Sequence, residues 1–363
     1  MKRKHAILSA SGAHRWLNCP PSARLEAELP DEVSEYAAEG TKAHKIAEGI
    51  LLDKIDEPAP DEMNEMFEYV SRYVEVVLEK WIPGAQLYIE QRLDFSPWVP
   101  EGFGTGDAVI VSDDVLEIID LKYGKGVQVS AENNPQLRLY ALGAYNEFGT
   151  LYDFQTVRMT IVQPRLDHVS TEELTLDELL EWGEQIKPIA KQAYEGKGEF
   201  KAGDHCRFCK ARRTCRARAE ANLELAKYEF KKPELLSVED VAEILAQAEE
   251  LAAWAKDVKE YALTQAYRHG VKFPGWKVVE GRSTRKITDE AALAERLAAE
   301  DIDPYKKVLK GITELEKEMG RKRFAELAAD LIEKPPGRPT LVPESDKRPE
   351  INSAILDFKK EEI

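Results

Sequence analysis

Between residues 86 and 175 the chain switches its apolar period from two to nearly four and back to two, which rules out a purely helical or purely stranded core. Three strand-like runs cover 86–95, 104–111 and 115–122, and Ser112-Asp113-Asp114 between the last two reads as a tight turn. A helical pattern follows over 134–148, then strands near 155–163 and 168–175. Asp177 opens a further helix that ends before Gly196. Upstream, Ser9 or Ser11 caps a short helix ending near Leu17, and helices are expected over 35–52 and 61–81. The first of these two carries Ala38, Ala43, Ile46, Ala47 and Ile50 as its apolar stripe. Helices, a meander, a crossover helix and another strand describe an α/β core, with a central mixed sheet flanked by helices.

At 363 residues the chain is long enough for such a core and an accessory region. The character changes after Cys215 to helix and loop. Ser237 with Asp240 forms a capping-box pattern, and Gly270 follows the helix end at His269. Residues 271–280 read as a short apolar–aromatic hairpin. Thr313 with Glu316 is a second capping box, opening helical sequence to about residue 333, and Lys334-Pro335-Pro336-Gly337 begins an extended tail. The expected segments are a core over 1–222, a mostly helical accessory region over 223–335 and a tail over 336–363. No apolar run reaches the roughly 20 residues that span a bilayer. The basic start, Met1-Lys2-Arg3-Lys4-His5, lacks the apolar stretch of a secretion signal. A cytoplasmic protein with no membrane partner is expected, and nothing in the sequence sets an oligomeric state.

The net charge of −16 argues on its face against a nucleic-acid partner, but its distribution is uneven. Acidic residues crowd 26–68, whereas Lys201, Arg207, Lys210, Arg212, Arg213, Arg216 and Arg218 gather around three of the four cysteines. That basic group is either solvated surface or a phosphate-contacting patch. Smaller groups at Arg282, Arg285 and Lys286, and at Arg321, Lys322 and Arg323, read as solvated surface.

The densest chemistry lies in the hairpin. If Asp113 and Asp114 form a two-residue turn, Ser112 pairs with Val115, and counting back along the ladder sets Asp107 opposite Asp120. Residues so paired have Cβ atoms about 4.5–5.5 Å apart on one face. Side chains alternate along a strand, so Lys122 shares the face of Asp120. A surface hairpin with an ordinary Asp120–Lys122 ion pair satisfies that spacing. So does a divalent cation held between two facing carboxylates, with a lysine beside it to orient or deprotonate water. Gln136 and Tyr140 lie four apart on the next helix and project from one side of it, and Glu39-Gly40-Thr41-Lys42-Ala43-His44 sets a histidine on an early helix.

Cys206 and Cys209 form a C-x-x-C pair, Cys215 follows after five residues, and Cys19 stands far upstream. Without a secretion signal, metal ligation is a better reading than disulfides. Four thiolates suit tetrahedral zinc or an iron–sulfur cluster, and their spacing does not choose.

Taken in order, Gly40 to His44, Gly104 to Asp107, Asp120-Leu121-Lys122 and Gln136 to Tyr140 resemble the signature of the RecB-like nuclease branch of the PD-(D/E)XK superfamily. The resemblance covers about the first 220 residues. It implies a restriction-endonuclease-like core in which His44, Asp107 and Asp120 bind Mg²⁺ or Mn²⁺, with the Leu121 carbonyl as an extra ligand. Lys122 would position the attacking water, and Gln136 and Tyr140 would hold the site or the nucleic-acid strand. One early cysteine with a late C-x-x-C-x5-C group looks like the iron–sulfur nucleases of the AddB kind and of CRISPR adaptation. This implies a 4Fe-4S cluster on Cys19, Cys206, Cys209 and Cys215, in preference to zinc. The implied activity is a DNA exonuclease acting on single strands or duplex ends. The alternative is a non-catalytic iron–sulfur protein that binds nucleic acid during recombination.

The C-terminal third, through Trp276-Lys277, Gly281-Arg282-Ser283 and residues 334–337 and 347–349, resembles a prophage-encoded family. That implies phage recombination or replication proteins as partners. Trp276, Arg282 and Arg285 either contact a strand or belong to an aromatic hairpin packed on its neighbours, and burial of aromatics favours the second.

Overall fold

The computed structural model describes residues 6–30, 35–53, 64–224 and 237–280, and in the C-terminal part residues 287, 289–298, 303–305, 310–312, 315, 319–328, 331 and 332. Ser9 caps a 3-10 turn over Ala10–Gly12, its hydroxyl accepting from Gly12 N–H, and this turn leads into α1 (Ala13–Asn18). α2 (Ser22–Ala27) was not anticipated from periodicity, being too short to show one. α3 (Glu35–Leu51) and α4 (Asn64–Lys80) follow, then β1 (Gln86–Asp94), β2 (Phe103–Val111) and β3 (Val115–Leu121). α5 (Pro135–Phe148) starts where expected because Asn134 accepts from the Gln136 and Leu137 N–H groups and Pro135 presets the first turn. β4 (Thr156–Gln163), β5 (His168–Thr175) and α6 (Leu176–Glu195) complete the layers. A Thr175–Glu178 capping box starts α6 and the left-handed Gly196 stops it.

The five strands form one mixed sheet in sequence order: β1, β2 and β3 antiparallel, β3 and β4 parallel, β4 and β5 antiparallel. The single parallel pair is the one joined by a helix, α5, as a parallel connection requires. Helices cover both faces. Val109, Val111, Leu116 and Ile118 point into one core with α1, α5 and α6. Ala108, Ile110, Ile119 and Leu121 point into the other, with Ala43, Ile46 and Ala47 of α3 and Val70, Tyr73 and Val77 of α4. A strand covered on both faces loses the polar alternation of a half-exposed one, and β3 is buried at every position after Val115. Ala38, expected in the α3 stripe, is exposed; the buried stripe begins at Ala43.

Contacts divide the chain into Met1–Val271 and Lys272–Ile363. The first unit also contains α7 (Arg216–Leu223) and the long α8 (Val238–His269), whose Ser237–Asp240 capping box and left-handed Gly270 are both formed. α8 lies beyond the 1–222 segment expected for the core. In the second unit the described helices are α9 (Glu290–Ala298) and α10 (Arg321–Ala328), and Phe324 is buried. The hairpin expected over 271–280 is not formed: Pro274-Gly275 turns the chain, but no strand flanks it and Trp276 is 82% exposed. A two-stranded ribbon needs a third strand or a helix to pack on, and among the described residues none covers Trp276. The Thr313–Glu316 cap, Gly281-Arg282-Ser283 with Arg285 and Lys286, and the tail from residue 333 lie outside the described residues. Among the described residues no helix is long and apolar enough to cross a membrane.

Candidate metal-binding site

The β2–β3 ladder pairs Val111 with Leu116 and continues to Ala108 with Ile119, and Ser112 N–H donates to the Val115 carbonyl at 3.0 Å. One step further along this register sets Asp107 opposite Asp120. There the backbone ladder stops, and the Leu121 N–H donates to Asp107 Oδ2 at 2.7 Å instead of to a carbonyl. The β1–β2 ladder pairs Ile89 with Ala108 and Gln91 with Gly106, so Glu90 stands opposite Asp107 with a left-handed φ of 49°. Glu90, Asp107 and Asp120 thus form an acidic row across three strands. From α3, His44 Nδ1 reaches Asp107 Oδ1 at 3.1 Å. His44, Glu90 and Asp107 each offer a donor atom within 4.8 Å of the others.

On the other side of Asp107 the side chains interlock. Asp120, 2% exposed, has Oδ2 at 2.8 Å from Lys122 Nζ. That oxygen nevertheless accepts no hydrogen bond of good geometry. Lys122 Nζ donates to Gln136 Oε1 at 2.9 Å, and Gln136 Nε2 donates to Asp120 Oδ1 at 3.1 Å and to the Tyr140 hydroxyl at 3.2 Å. Gln136 is fixed because it sits in the capped first turn of α5. Tyr140, one turn on, packs over Gly104, where a Cβ would meet Tyr140 Cε1 at 2.7 Å; only glycine leaves room for the ring.

Electrostatics follow from this crowding. Burial opposes a charged His44, but the hydrogen bond and charge of Asp107, with Asp120 and Glu90, outweigh it and raise the ring above its ordinary value. Burial and the neighbouring Asp107 push the Glu90 carboxyl up to about 7 against the opposing pull of His44. Burial also raises Asp120, partly offset by Lys122. Tyr140 is raised by burial and by the Asp120 charge, so its hydroxyl keeps its proton at neutral pH.

The loop between β3 and α5 is held by β4 and β5. Buried Gln163 accepts from Val129 N–H and donates to the Gly124 and Val127 carbonyls, and Ser170 Oγ accepts from Ala131 N–H. Sequence patterns gave no sign of Gln163 or of Glu90, whose importance depends on cross-strand register.

All four cysteines are free and line one cavity. Cys19 ends α1, Cys206 lies in the 3-10 turn Asp204–Phe208 and Cys209 ends it, and Cys215 precedes α7. Among the described residues their sulfurs do not close into a donor set as tight as that of His44, Glu90 and Asp107. Burial raises Cys206, and pushes Cys209 up to about 11. His205 is raised, first by its hydrogen bond to Cys19. Around the cavity Glu26 ties three segments together: Arg15 Nε lies at 2.9 Å, Lys210 N–H donates to it, and Lys210 Nζ reaches its carbonyl.

A family model described as "Protein of unknown function (DUF2800)" matches residues 5–349. The chain belongs to this family. Among solved structures, the crystal structure of SSO0001 is similar to this DUF2800 chain at 17% identity, over 60% of this chain and 88% of that one, with a TM-score of 0.31.

In the DUF2800 chain Asp120, Lys122, Gln136 and Tyr140 form one network, His44 pairs with Asp107 beside it, the Leu121 N–H joins the two, and the cysteines line a separate cavity. The basic group around the cysteines is divided. Arg218 is 1% exposed and pairs with Glu250 and with Asp257 at 2.6 Å, and Arg212 also meets Asp257. A phosphate-contacting role for Arg218 is therefore overturned: its charge is spent inside the fold. Lys201, Arg207 and Arg216 are exposed.

Proposed function

We propose that this DUF2800 protein is a metal-dependent nuclease with a PD-(D/E)XK-type core of the RecB-like branch, hydrolysing phosphodiester bonds of DNA as an exonuclease. The observation that carries the reading is the convergence of two groups, His44–Asp107 and Asp120–Lys122–Gln136–Tyr140, joined by the Leu121 N–H that donates to Asp107. Two carboxylates on adjacent strands, Asp107 and the buried Asp120, whose Oδ2 lies 2.8 Å from Lys122 Nζ but accepts no hydrogen bond of good geometry, fit an oxygen-seeking divalent cation. His44, Asp107 and Asp120, with the Leu121 carbonyl, would hold Mg²⁺ or Mn²⁺. When bound, such an ion polarises the phosphate and lowers the pKa of its water.

The remaining roles belong to side chains. Lys122 Nζ, fixed by Asp120 and Gln136, is placed to orient the attacking water or to neutralise charge on the phosphate. Gln136 keeps Lys122 and Tyr140 in register. Because the Tyr140 oxygen accepts from Gln136, its own proton is left to donate toward a phosphate oxygen. Cys19, Cys206, Cys209 and Cys215 line one cavity and would supply the thiolates of a 4Fe-4S cluster. Its role would be structural, closing the long chain segment between Cys19 and Cys206. Phage recombination or replication proteins are the proposed partners.

The test is cleavage of end-labelled single- and double-stranded DNA by anaerobically purified protein, with Mn²⁺, Mg²⁺ or chelator, beside Asp120→Ala. Metal-dependent degradation absent from the variant is expected. No cleavage on any substrate by folded, cluster-loaded protein would turn the reading to a non-catalytic nucleic-acid-binding protein.

A further inference from the structure

We propose that Glu90 is a ligand of the metal ion, sharing it with His44 and Asp107, and that this one-nitrogen, two-carboxylate set makes the centre select Mn²⁺ over Mg²⁺. The inference rests on the reading that the acidic row holds a divalent cation, but it moves the ion's centre of gravity. Asp107 divides its oxygens: Oδ2 is taken by the Leu121 N–H, while Oδ1 faces His44 Nδ1. On the Leu121 side, Asp120 Oδ1 accepts from Gln136 and its Oδ2 lies 2.8 Å from Lys122 Nζ. On the His44 side stands Glu90, for which the described residues offer no hydrogen-bond donor. The three donor atoms of His44, Glu90 and Asp107 already lie within 4.8 Å of one another. In an octahedral shell with bonds of about 2.1 Å, ligand atoms are roughly 3–4.2 Å apart, so the group needs to contract by only some tenths of an ångström to close on an ion.

Backbone placement is consistent with this. Glu90 lies in mid-strand opposite Asp107, in a left-handed conformation that an ordinary strand residue avoids. The ligand types then set the ion. Mg²⁺ favours oxygen and keeps its waters, whereas an imidazole nitrogen suits transition ions, so a set containing His44 favours Mn²⁺. Asp120 remains with Lys122 on the reacting side, next to the shared Asp107.

The experiment is calorimetric titration of the purified full chain with MnCl₂ and with MgCl₂ in the absence of nucleic acid, for wild type, Glu90→Gln and Glu90→Asp. It is paired with pulsed EPR of the wild-type Mn²⁺ complex. Tighter binding of Mn²⁺ than Mg²⁺, nitrogen coupling from an imidazole, and a loss of Mn²⁺ affinity of at least about tenfold in Glu90→Gln are expected, with Glu90→Asp in between. Unchanged Mn²⁺ affinity in a folded Glu90→Gln overturns the role of Glu90 and leaves the nuclease reading standing if wild type still cleaves DNA. Absence of nitrogen coupling, which needs no variant, overturns the ligand set. A wild type that binds neither ion removes this inference, while the nuclease reading stands or falls on the metal-dependent cleavage assay.

Discussion

Lys122 is the side chain whose removal best separates chemistry from folding. Its ammonium is part-exposed, and among the described residues it bonds only to Asp120 and Gln136. Lys122→Ala is expected to keep the circular dichroism of the wild type and to lose cleavage by about 10²–10⁴-fold in single-turnover assays. Retained cleavage would remove Lys122 from the mechanism. The acidic row also predicts how stability depends on pH. Glu90 titrates at about 7 in the fold but near 4.5 in a free chain, so between those values the folded protein holds a proton that the unfolded chain has released. Stability therefore falls as pH rises through that window. Asp120, also raised, acts in the same sense. His44, raised above 6.5, adds stability at low pH that is lost as pH climbs through its folded value. The melting temperature of chelator-treated protein should decline from about pH 5 to 8, and less so in Glu90→Gln. Mn²⁺ should reverse the decline, because its ligands must be deprotonated to bind. A flat profile in the chelated wild type would mean that the row is solvated rather than buried.

At the scale of elements, the site depends on how closely α5 lies on β1. Gly143 is the contact: a Cβ there would stand 2.9 Å from Leu93 Cβ and 3.2–3.3 Å from the Leu93–Asp94 backbone, which cannot step aside. Gly143→Ala is expected to destabilise the protein by about 1–3 kcal/mol in denaturant titrations. It should also lower cleavage, since the same helix carries Gln136 and Tyr140. An unchanged midpoint and rate would show that α5 can slide without cost. This dependence explains what was legible beforehand. The β2–β3 register was legible over 108–111 and 116–119 because a two-residue turn fixes it locally; the expected Asp107–Asp120 step lies one beyond the last paired residues. The β1–β2 register follows a longer connection, in which Trp98 and Val99 are buried by tertiary packing, so Glu90 could not be placed opposite Asp107. Lys122, Gln136 and Tyr140 were legible because spacing of two on a strand and four on a helix sets direction. Alternation misled at residues 271–280, where among the described residues no further strand covers the apolar side chains.

For the Met1–Val271 unit, stability depends on tying its early chain to its late chain. Arg24 Nε donates to the Tyr194 carbonyl at 2.6 Å, Glu26 joins Arg15 to Lys210, and Arg218 carries the connection on to Glu250 and Asp257 of α8. The basic character around the cysteines was legible, but not that Arg218 is consumed by carboxylates on a helix more than thirty residues away. A cluster on Cys19, Cys206, Cys209 and Cys215 would add a covalent closure to these polar ones. Closing so long a segment restricts the unfolded chain by an amount typical of cross-links, about 2–4 kcal/mol. The polar contacts already hold the early segment when the cluster is absent, so the lower end of that range is expected. Cys19→Ser should therefore bleach anaerobically purified protein, lower its iron content and reduce stability by about 2 kcal/mol. Mn²⁺ binding at the sheet should survive, because none of the cysteines is among the network's side chains. Iron-free, colourless wild type would remove the cluster. Iron-loaded wild type with a Cys19→Ser variant of equal stability would keep the cluster and remove its structural role, leaving electron transfer or strand contact as its reason to exist.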